Sequence, residues 1–260
     1  MLKVYLVQME SIPGDKKQNL EHAKELVEHA SPEPGSLIVF PEMFATGYEP
    51  SLAEQMAENF DSTPMEATAA FLTNLAEQTG CTVLGGGIHK SDGTFATRHF
   101  SNRTGFFTAK GEKAYYNKVH LFFPEQSSFA PGDDITLFAI KDFCISPTIC
   151  YDLRFPELYR KATSKGANIL TVQASWPTKR KLHWETLLKA RAIENQAYVV
   201  AVNCVTRNGE YTGDSQIINP LGEVVAIAPA GKECVLSADL DFSILEQCRK
   251  DFCVLKDRRM

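Results

Sequence analysis

A cysteine, a glutamate and a lysine each lie where a side chain can do chemistry. Cys150 follows the apolar run at residues 143–149 and precedes a charged turn, so its thiol is predicted at the carboxyl end of a strand. Open sheets present reactive groups at that end of their strands. Glu42 ends the apolar run that begins at residues 37–40, and Lys118 lies within an apolar and aromatic stretch. We therefore predict that the three side chains converge.

These residue types together suit the hydrolysis of an amide. Hydrolysis through a thiol needs a nucleophile, a proton shuttle and positive polarity beside the carbonyl oxygen. Cys150 would attack the carbonyl carbon to form a thioester, and Glu42 would pass the thiol proton to the leaving ammonia and then activate water. Lys118 and the backbone N–H of Tyr151 would hold the oxyanion. The nearby lysine and base are expected to raise the thiolate fraction of Cys150.

Each of the three residues also has an ordinary structural interpretation. A glutamate after a proline is usually a solvated loop residue, and a lone lysine usually lies on the surface. A lone cysteine in an apolar strand usually belongs to the core. A single residue of this kind would not support a catalytic site.

Three segments resemble motifs of the nitrilase, or carbon-nitrogen hydrolase, superfamily. Residues 41–48 (PEMFATGY) resemble its glutamate motif, residues 117–122 (NKVHLF) its lysine motif and residues 149–157 (ICYDLRFPE) its cysteine motif. They occur in the family's order, and residues 174–177 (ASWP) and 213–222 (GDSQIINPLG) also resemble family segments. This joint occurrence favours the catalytic interpretation.

The resemblance implies a fold and a supporting residue. The fold is α/β, a four-layer αββα sandwich with two mixed β-sheets. It forms a single domain over residues 1–260, with the core at about 1–240 and a C-terminal tail at 241–260. Glu125, seven residues after Lys118, resembles a further family glutamate that lies beside the lysine. The residues around Glu125 differ from the commoner family sequence. Glu125 is expected to help keep the buried lysine charged.

The resemblance also implies a reaction class. Three segments are most similar in sequence to the omega-amidase-like branch: the one around Cys150, residues 175–177 and residues 213–215. The implied reaction is cofactor-free hydrolysis of the terminal carboxamide of a small dicarboxylic acid monoamide, such as 2-oxoglutaramate, to the acid and ammonia. Two alternatives stay open. One is another carbon-nitrogen hydrolase, such as an N-carbamoyl amino acid amidohydrolase or a nitrilase, and the other is a non-catalytic scaffold that keeps the fold.

Two residues are candidates for substrate binding. Arg154, four residues after Cys150, could offer a planar guanidinium fork to a substrate carboxylate, or could form a salt bridge with Asp152 or Glu157. Trp176, after a predicted strand, could form an apolar wall of the pocket or be an ordinary core tryptophan. Lys179 and Arg180, further along, are alternative carboxylate anchors.

Several other chemistries lack the required patterns. The six histidines show no H-x-x-x-H or mixed Cys/His spacing, so no metal site is predicted. The glycines at residues 85–87 lack the arrangement of a phosphate-binding loop and indicate close strand packing instead. The triplet at residues 102–104 matches a glycosylation sequon, which is a common chance match.

Composition limits the possible binding partners and the possible cellular compartment. The chain has 260 residues, 44% of them hydrophobic, and a net charge of −5 with no dense Lys/Arg run. Nucleic acids and anionic membranes attract clustered positive charge, so a small-molecule substrate is favoured. Seven cysteines without a C-x-x-C pair, a start too short for a signal peptide and no stretch of membrane-spanning length predict a cytoplasmic protein. The resemblance implies a homodimer or a larger homo-oligomer.

Alternating strand and helix patterns supply the framework for these residues. Apolar, β-branched runs predict strands, and helical spacing of apolar residues predicts helices between them. Turn signals at residues 92–93, 208–209 and 220–222 predict hairpins, so the sheets must be mixed. Prolines 64 and 156 suit the first turn of a helix, and glycines 80 and 166 suit the residue after a helix. The predicted strands are residues 3–9, 37–40, 82–87, 143–149, 168–173 and 198–203; the predicted helices are residues 15–29, 65–79, 156–165 and 182–197.

Overall fold

The computed structural model describes residues 1–90 and 99–259. Within these residues, twelve strands form two six-stranded mixed sheets. The strands are β1 (Leu2–Gln8), β2 (Leu37–Val39), β3 (Thr82–Lys90), β4 (Phe100–Phe107), β5 (Lys113–Asn117), β6 (Phe138–Ile140), β7 (Phe143–Ile149), β8 (Ile169–Ala174), β9 (Tyr198–Asn203), β10 (Gln216–Ile218), β11 (Val224–Ile227) and β12 (Cys234–Leu240). The spatial order is β12-β1-β2-β3-β4-β5 in the first sheet and β11-β10-β9-β8-β7-β6 in the second.

Each sheet has a parallel centre and antiparallel edges. In the first sheet β1, β2 and β3 run parallel, and in the second β7, β8 and β9 do. The remaining neighbours pair antiparallel. The helices are α1 (Lys16–Ala30), α2 (Ala53–Met56), α3 (Ala67–Thr79), α4 (Pro156–Ser164), α5 (Lys181–Asn195) and α6 (Phe242–Asp251).

Alternating burial in the strands produces the layers. In β1, Val4 and Leu6 pack into the core between the two sheets, whereas Tyr5 and Val7 pack against α1 and α3. The second sheet packs in the same way against the inter-sheet core and against α4 and α5. Strands covered on both faces are apolar throughout, which explains the unbroken apolar runs. The predicted α/β fold, a four-layer αββα sandwich with two mixed sheets, is confirmed.

Some local predictions differ from the structure. Pro64 lies before α3 and not in its first turn, since the helix begins at Ala67. The Glu58 carboxylate accepts the backbone N–H of Thr68 at 3.0 Å, which satisfies one free N–H of the first turn. The turn at residues 208–209 lies in a loop joined by a single antiparallel bridge rather than between two strands. The turn at residues 220–222 does join two paired strands, β10 and β11. The turn predicted at residues 92–93 lies outside the described residues.

Two predictions about glycines are confirmed. Gly80 is the left-handed residue that ends α3, with φ of 67°. A Cβ added to Gly86 in β3 would lie 1.9 Å from the carbonyl oxygen of Arg103 in β4, so only glycine permits this approach of the two strands.

The cysteines differ in burial but not in bonding. All seven cysteines are free. Cys253 is exposed, Cys144 and Cys234 are half-buried, and the other four are buried. No helix in the part of the chain that the structure describes is long and apolar enough to cross a membrane.

Candidate active site

Glu42, Lys118 and Glu125 form a fully buried charged cluster. Nζ of Lys118 lies 2.8 Å from Oε1 of Glu42 and 2.9 Å from Oε2 of Glu125, and none of the three side chains is exposed. Burial by itself lowers the pKa of Lys118, but the charges of the two carboxylates outweigh it and raise that pKa well above its ordinary value. Lys118 is therefore a fixed cation in a fully buried position.

The cluster is assembled from segments that follow three different strands. Glu42 lies just beyond β2 and Lys118 directly follows β5, both in the first sheet, whereas Cys150 directly follows β7 in the second. The strand-end placement predicted from the apolar runs is therefore present. A peptide group joins the two sheets here, since the backbone N–H of Ser175, directly after β8, donates to Oε2 of Glu42 at 2.9 Å.

Asn102 is a member of the cluster that the sequence analysis missed. Its Nδ2 donates to Oε1 of Glu42 at 2.8 Å and to Oε1 of Glu125 at 2.7 Å, and the residue is buried in β4. Its backbone carbonyl accepts the N–H of Lys118 at 2.8 Å. The only local signal, the chance sequon at residues 102–104, pointed to a different chemistry.

Glu125 lies where the resemblance placed it, beside the lysine. It ends a short 3₁₀ turn, Phe123–Glu125, and its Oε2 also accepts the backbone N–H of Phe122 at 2.7 Å. Burial raises the pKa of Glu125, and the charge of Lys118 opposes that rise. The carboxylate thus depends on Lys118 for its charge.

Cys150 begins a 3₁₀ turn, Cys150–Arg154, directly after β7. Its φ is +45°, a left-handed conformation that non-glycine residues rarely adopt and that clusters at functional sites. Sγ lies 3.8 Å from the carbonyl oxygen of Ser175, the residue whose N–H binds Glu42. The thiol and the Glu42 carboxylate therefore contact the two backbone polar groups of one residue, Ser175.

The prediction that Cys150 has a raised thiolate fraction is wrong for the protein without substrate. Burial and the charge of Glu42 raise the pKa of the Cys150 thiol well above its ordinary value, although Lys118 lowers it. The resting thiol is therefore neutral. It needs a base at the moment of attack, and Glu42 is the adjacent base.

A cavity of about 400 Å³ opens beside Cys150 and Tyr151. Its wall includes Trp176, which is buried and donates from Nε1 to the carbonyl oxygen of Arg180 at 2.9 Å. The cations on its wall are Arg154, Lys179 and Arg180, with His183 beside them and Glu210 as the acidic residue. The mouth of this cavity is therefore positively charged and suited to an anionic group.

Arg154 lies on this wall in a stacked position. Its guanidinium lies 4.6 Å from the ring centroid of Trp176 and 5.8 Å from that of Tyr151, and its Nη1 is 3.3 Å from Nδ1 of His183. In the described chain it pairs with neither Asp152 nor Glu157. Burial and the charge of Arg180 lower its pKa. A half-buried cation beside a like charge favours an anionic ligand.

Tyr48 lies on the same wall and near the lysine. Nζ of Lys118 lies 5.8 Å from the centroid of its ring. Within the described residues its buried hydroxyl has no hydrogen-bond partner. Tyr48 is the last residue of the segment that resembles the glutamate motif.

Comparison with known proteins identifies the family. The family model for carbon-nitrogen hydrolases matches residues 3–250. The chain belongs to the carbon-nitrogen hydrolase family. This membership confirms the predicted superfamily and the predicted class of enzyme, an amidase-type hydrolase.

Relatives of this carbon-nitrogen hydrolase include named amidases. It is 32% identical to 2-oxoglutaramate amidase of Bacillus subtilis (strain 168), over 95% of this chain and 93% of that one. It is 32% identical to an omega-amidase of Saccharomyces cerevisiae, over 99% of this chain and 93% of that one. The crystal structure of Saccharomyces cerevisiae Nit3, a member of branch 10 of the nitrilase superfamily, superimposes with a TM-score of 0.90 at 30% identity, covering 100% of this chain and 97% of that one.

Proposed function

We propose that this carbon-nitrogen hydrolase is an omega-amidase that acts on a small dicarboxylic acid monoamide of the 2-oxoglutaramate type. The observation that carries the proposal is the cavity itself. It combines a neutral thiol, Cys150, next to the buried Glu42–Lys118 pair, with a cationic mouth that includes Arg154. The names of the relatives, 2-oxoglutaramate amidase and omega-amidase, agree with this choice of substrate.

In the first half of the reaction, Glu42 takes the proton from Cys150 as sulfur attacks the carboxamide carbon. Three donors hold the Glu42 carboxylate in place: Lys118, Asn102 and the backbone N–H of Ser175. The oxygen that becomes negative is stabilised by Lys118 and by the backbone N–H of Tyr151. When the tetrahedral intermediate collapses, Glu42 returns its proton to nitrogen, the C–N bond breaks and ammonia leaves a thioester.

In the second half, Glu42 removes a proton from water as that water attacks the thioester carbon. The same oxyanion donors act again, the C–S bond breaks, and the proton passes from Glu42 to the sulfur of Cys150. The acid product is released and the neutral thiol is restored. Glu125 supports both halves because it lies beside Lys118 and shares the amide of Asn102.

Charge at the cavity mouth supports a substrate with a carboxylate at the end opposite its amide. The guanidinium of Arg154 can form two parallel hydrogen bonds to a carboxylate, and Trp176 supplies an apolar wall for the carbon chain. A neutral aliphatic amide would leave Arg154 and Arg180 uncompensated. We therefore propose that Arg154 and Trp176 are the substrate-binding residues.

The experiment is ammonia release from a matched panel of substrates. The panel contains 2-oxoglutaramate, a neutral amide of the same length, an N-carbamoyl amino acid and an aliphatic nitrile. We expect the highest kcat/KM for the dicarboxylic monoamide, by about tenfold or more over the neutral amide, because a charged hydrogen bond is worth about 1.5–3 kcal/mol. Preference for the carbamoyl compound or the nitrile would assign a different activity in this family. Release from none of them would support a scaffold.

We further propose that the protein is a cytoplasmic homodimer or larger homo-oligomer. Seven free cysteines agree with a reducing compartment. Light scattering of the purified protein measures the assembly directly. A monomeric mass at micromolar concentration would contradict this part of the proposal.

A further inference from the structure

Asp152 is a fully buried carboxylate two residues after Cys150, and four polar atoms lie within hydrogen-bond distance of its oxygens. Oδ1 accepts the backbone N–H of His120 at 2.8 Å and lies 2.9 Å from Nδ1 of the same residue. Oδ2 accepts the hydroxyl of Tyr116 at 2.7 Å and the backbone N–H of Ile149 at 3.0 Å. The carboxylate is therefore bound to two separate stretches of chain.

Those two stretches carry the proposed lysine and nucleophile. Tyr116 and His120 lie two residues before and two residues after Lys118, in and beyond β5 of the first sheet. Ile149 directly precedes Cys150 at the end of β7 in the second sheet. Asp152 thus binds the segment of Lys118 and the turn of Cys150 at the same point.

A second contact strengthens the same connection. The ring of His120 stacks on the ring of Phe155 with centroids 3.7 Å apart and an interplanar angle of 5°. Phe155 directly follows the turn that contains Cys150, and its N–H donates to the backbone oxygen of Asp152 at 3.0 Å. Two neighbouring contacts therefore hold the lysine segment against the cysteine turn.

We propose that Asp152 is a positioning residue for Lys118 and Cys150, an inference that rests on the proposed function. Asp152 binds Tyr116 and His120 on one side and the cysteine turn on the other, and so fixes where Lys118 lies relative to Cys150. It is fully buried, and both of its carboxylate oxygens are bound by Tyr116, His120 and Ile149, so it acts through these partners and not on substrate. The left-handed conformation of Cys150 persists only where its surroundings over-determine it. Small displacements of a nucleophile or an oxyanion donor are costly in rate.

Two tyrosines provide a matched test. Tyr116 and Tyr159 are both fully buried in the same hydrophobic cluster, and each hydroxyl makes a 2.7 Å hydrogen bond. The hydroxyl of Tyr116 donates to Asp152 and accepts the backbone N–H of Val119 at 3.4 Å. The hydroxyl of Tyr159 instead pairs with Thr148, within the layer formed by the second sheet and its helices. Changing either tyrosine to Phe removes one buried hydroxyl, but only one change touches the lysine segment.

The experiment compares the variants Tyr116→Phe and Tyr159→Phe with the parent, with Asp152→Asn as the stronger perturbation. Urea unfolding should show a loss of stability in both Phe variants, and a larger loss in Tyr116→Phe, because the Tyr116 hydroxyl makes two hydrogen bonds and the Tyr159 hydroxyl makes one. For Tyr116→Phe we expect kcat to fall by about tenfold with little change in KM, and for Asp152→Asn by about 10²-fold. For Tyr159→Phe we expect kcat to stay within about twofold of the parent, since its hydroxyl does not bind the lysine segment.

A measurement that needs no substrate tests this inference independently of the proposed function. Because the charge of Lys118 lowers the pKa of the Cys150 thiol, moving Lys118 away should slow alkylation of Cys150 by iodoacetamide in Tyr116→Phe but not in Tyr159→Phe. Equal kcat and equal alkylation rates in the two Phe variants would overturn the positioning role. If the parent protein is inactive but the two Phe variants still differ in alkylation rate, only the proposed substrate is overturned. If Asp152→Asn does not fold, Tyr116→Phe alone still tests the positioning role.

Discussion

Replacing Lys118 by Met should reveal how strongly the buried cluster depends on one cation. Lys118 lies 2.8 Å from Glu42 and 2.9 Å from Glu125, and all three side chains are fully shielded from solvent. Met retains most of the side-chain length but removes the charge. Two carboxylates would then share a buried site with only the Asn102 amide between them. One of them must take up a proton for the chain to fold.

The size of the effect follows from that proton. Burial already raises the pKa of Glu125 and Lys118 opposes the rise, so removing Lys118 raises this pKa further. At about pH 7.5, roughly three units above an ordinary glutamate pKa, protonating one carboxylate on folding costs about 4 kcal/mol. For a domain of this size, that loss corresponds to a Tm lower by roughly 8–16 °C.

The same proton fixes the sign of the pH dependence. The folded variant holds one proton more than its unfolded chain, so its stability rises as pH falls. The loss of unfolding free energy relative to the parent should shrink by about 1.4 kcal/mol for each unit by which the pH falls. This holds between the raised pKa of the carboxylate pair and the ordinary glutamate value. Lowering the pH from 7.5 to about 5 should therefore recover most of the lost stability.

Urea unfolding at several pH values measures this directly, with ammonia release recorded beside it. The control is Lys16→Met, which breaks the 2.6 Å contact of Lys16 with Glu58 away from the cavity. Glu58 keeps the N–H of Thr68, so the control should lose less stability, on the order of 1–2 kcal/mol, and keep the parent kcat. A Lys118→Met protein as stable as the parent at pH 7.5, or one whose deficit does not change with pH, would refute the account of the cluster.

Three further variants probe residues around Glu42, Lys118 and Cys150. Glu125→Gln should remain folded by circular dichroism yet lose about 10²-fold in kcat, because Lys118 loses one of its two carboxylates; full activity would show that Glu125 is not needed. Asn102→Leu should lower kcat by about tenfold through the loss of both of its carboxylate contacts, and an unchanged rate would assign Asn102 to packing alone. Arg154→Lys should raise KM for the acidic monoamide by about tenfold through the loss of the bidentate fork and leave a neutral amide unaffected; equal losses on both would move the anchor to Lys179 or Arg180.

Much of the framework could be predicted because it is local. The six predicted strands and four predicted helices are present with ends shifted by at most three residues, since apolar runs and helical spacing are properties of short segments. Glu42, Lys118 and Cys150 stand out for the same reason, each within a distinctive string near a strand end. The resemblance supplied the arrangement in four layers.

The elements that were missed depend on contacts between distant residues. Asn102 reaches Glu42, sixty residues away, only because β2, β3, β4 and β5 are neighbours in the first sheet. Strand β12 is half-exposed and exists by pairing with β1 at the opposite end of the chain. The raised pKa of Cys150 likewise depends on how deeply the folded chain buries the thiol, which the motif does not encode.

The most direct test of the central claim is ammonia release by Cys150→Ala on the preferred monoamide. The substitution removes the nucleophile and little volume, so the fold should be retained in circular dichroism and urea unfolding. We expect kcat/KM to fall by at least about 10³-fold, to the limit of the assay, because the thioester can no longer form at residue 150. A folded Cys150→Ala protein that retains activity within about tenfold of the parent would contradict a mechanism through Cys150.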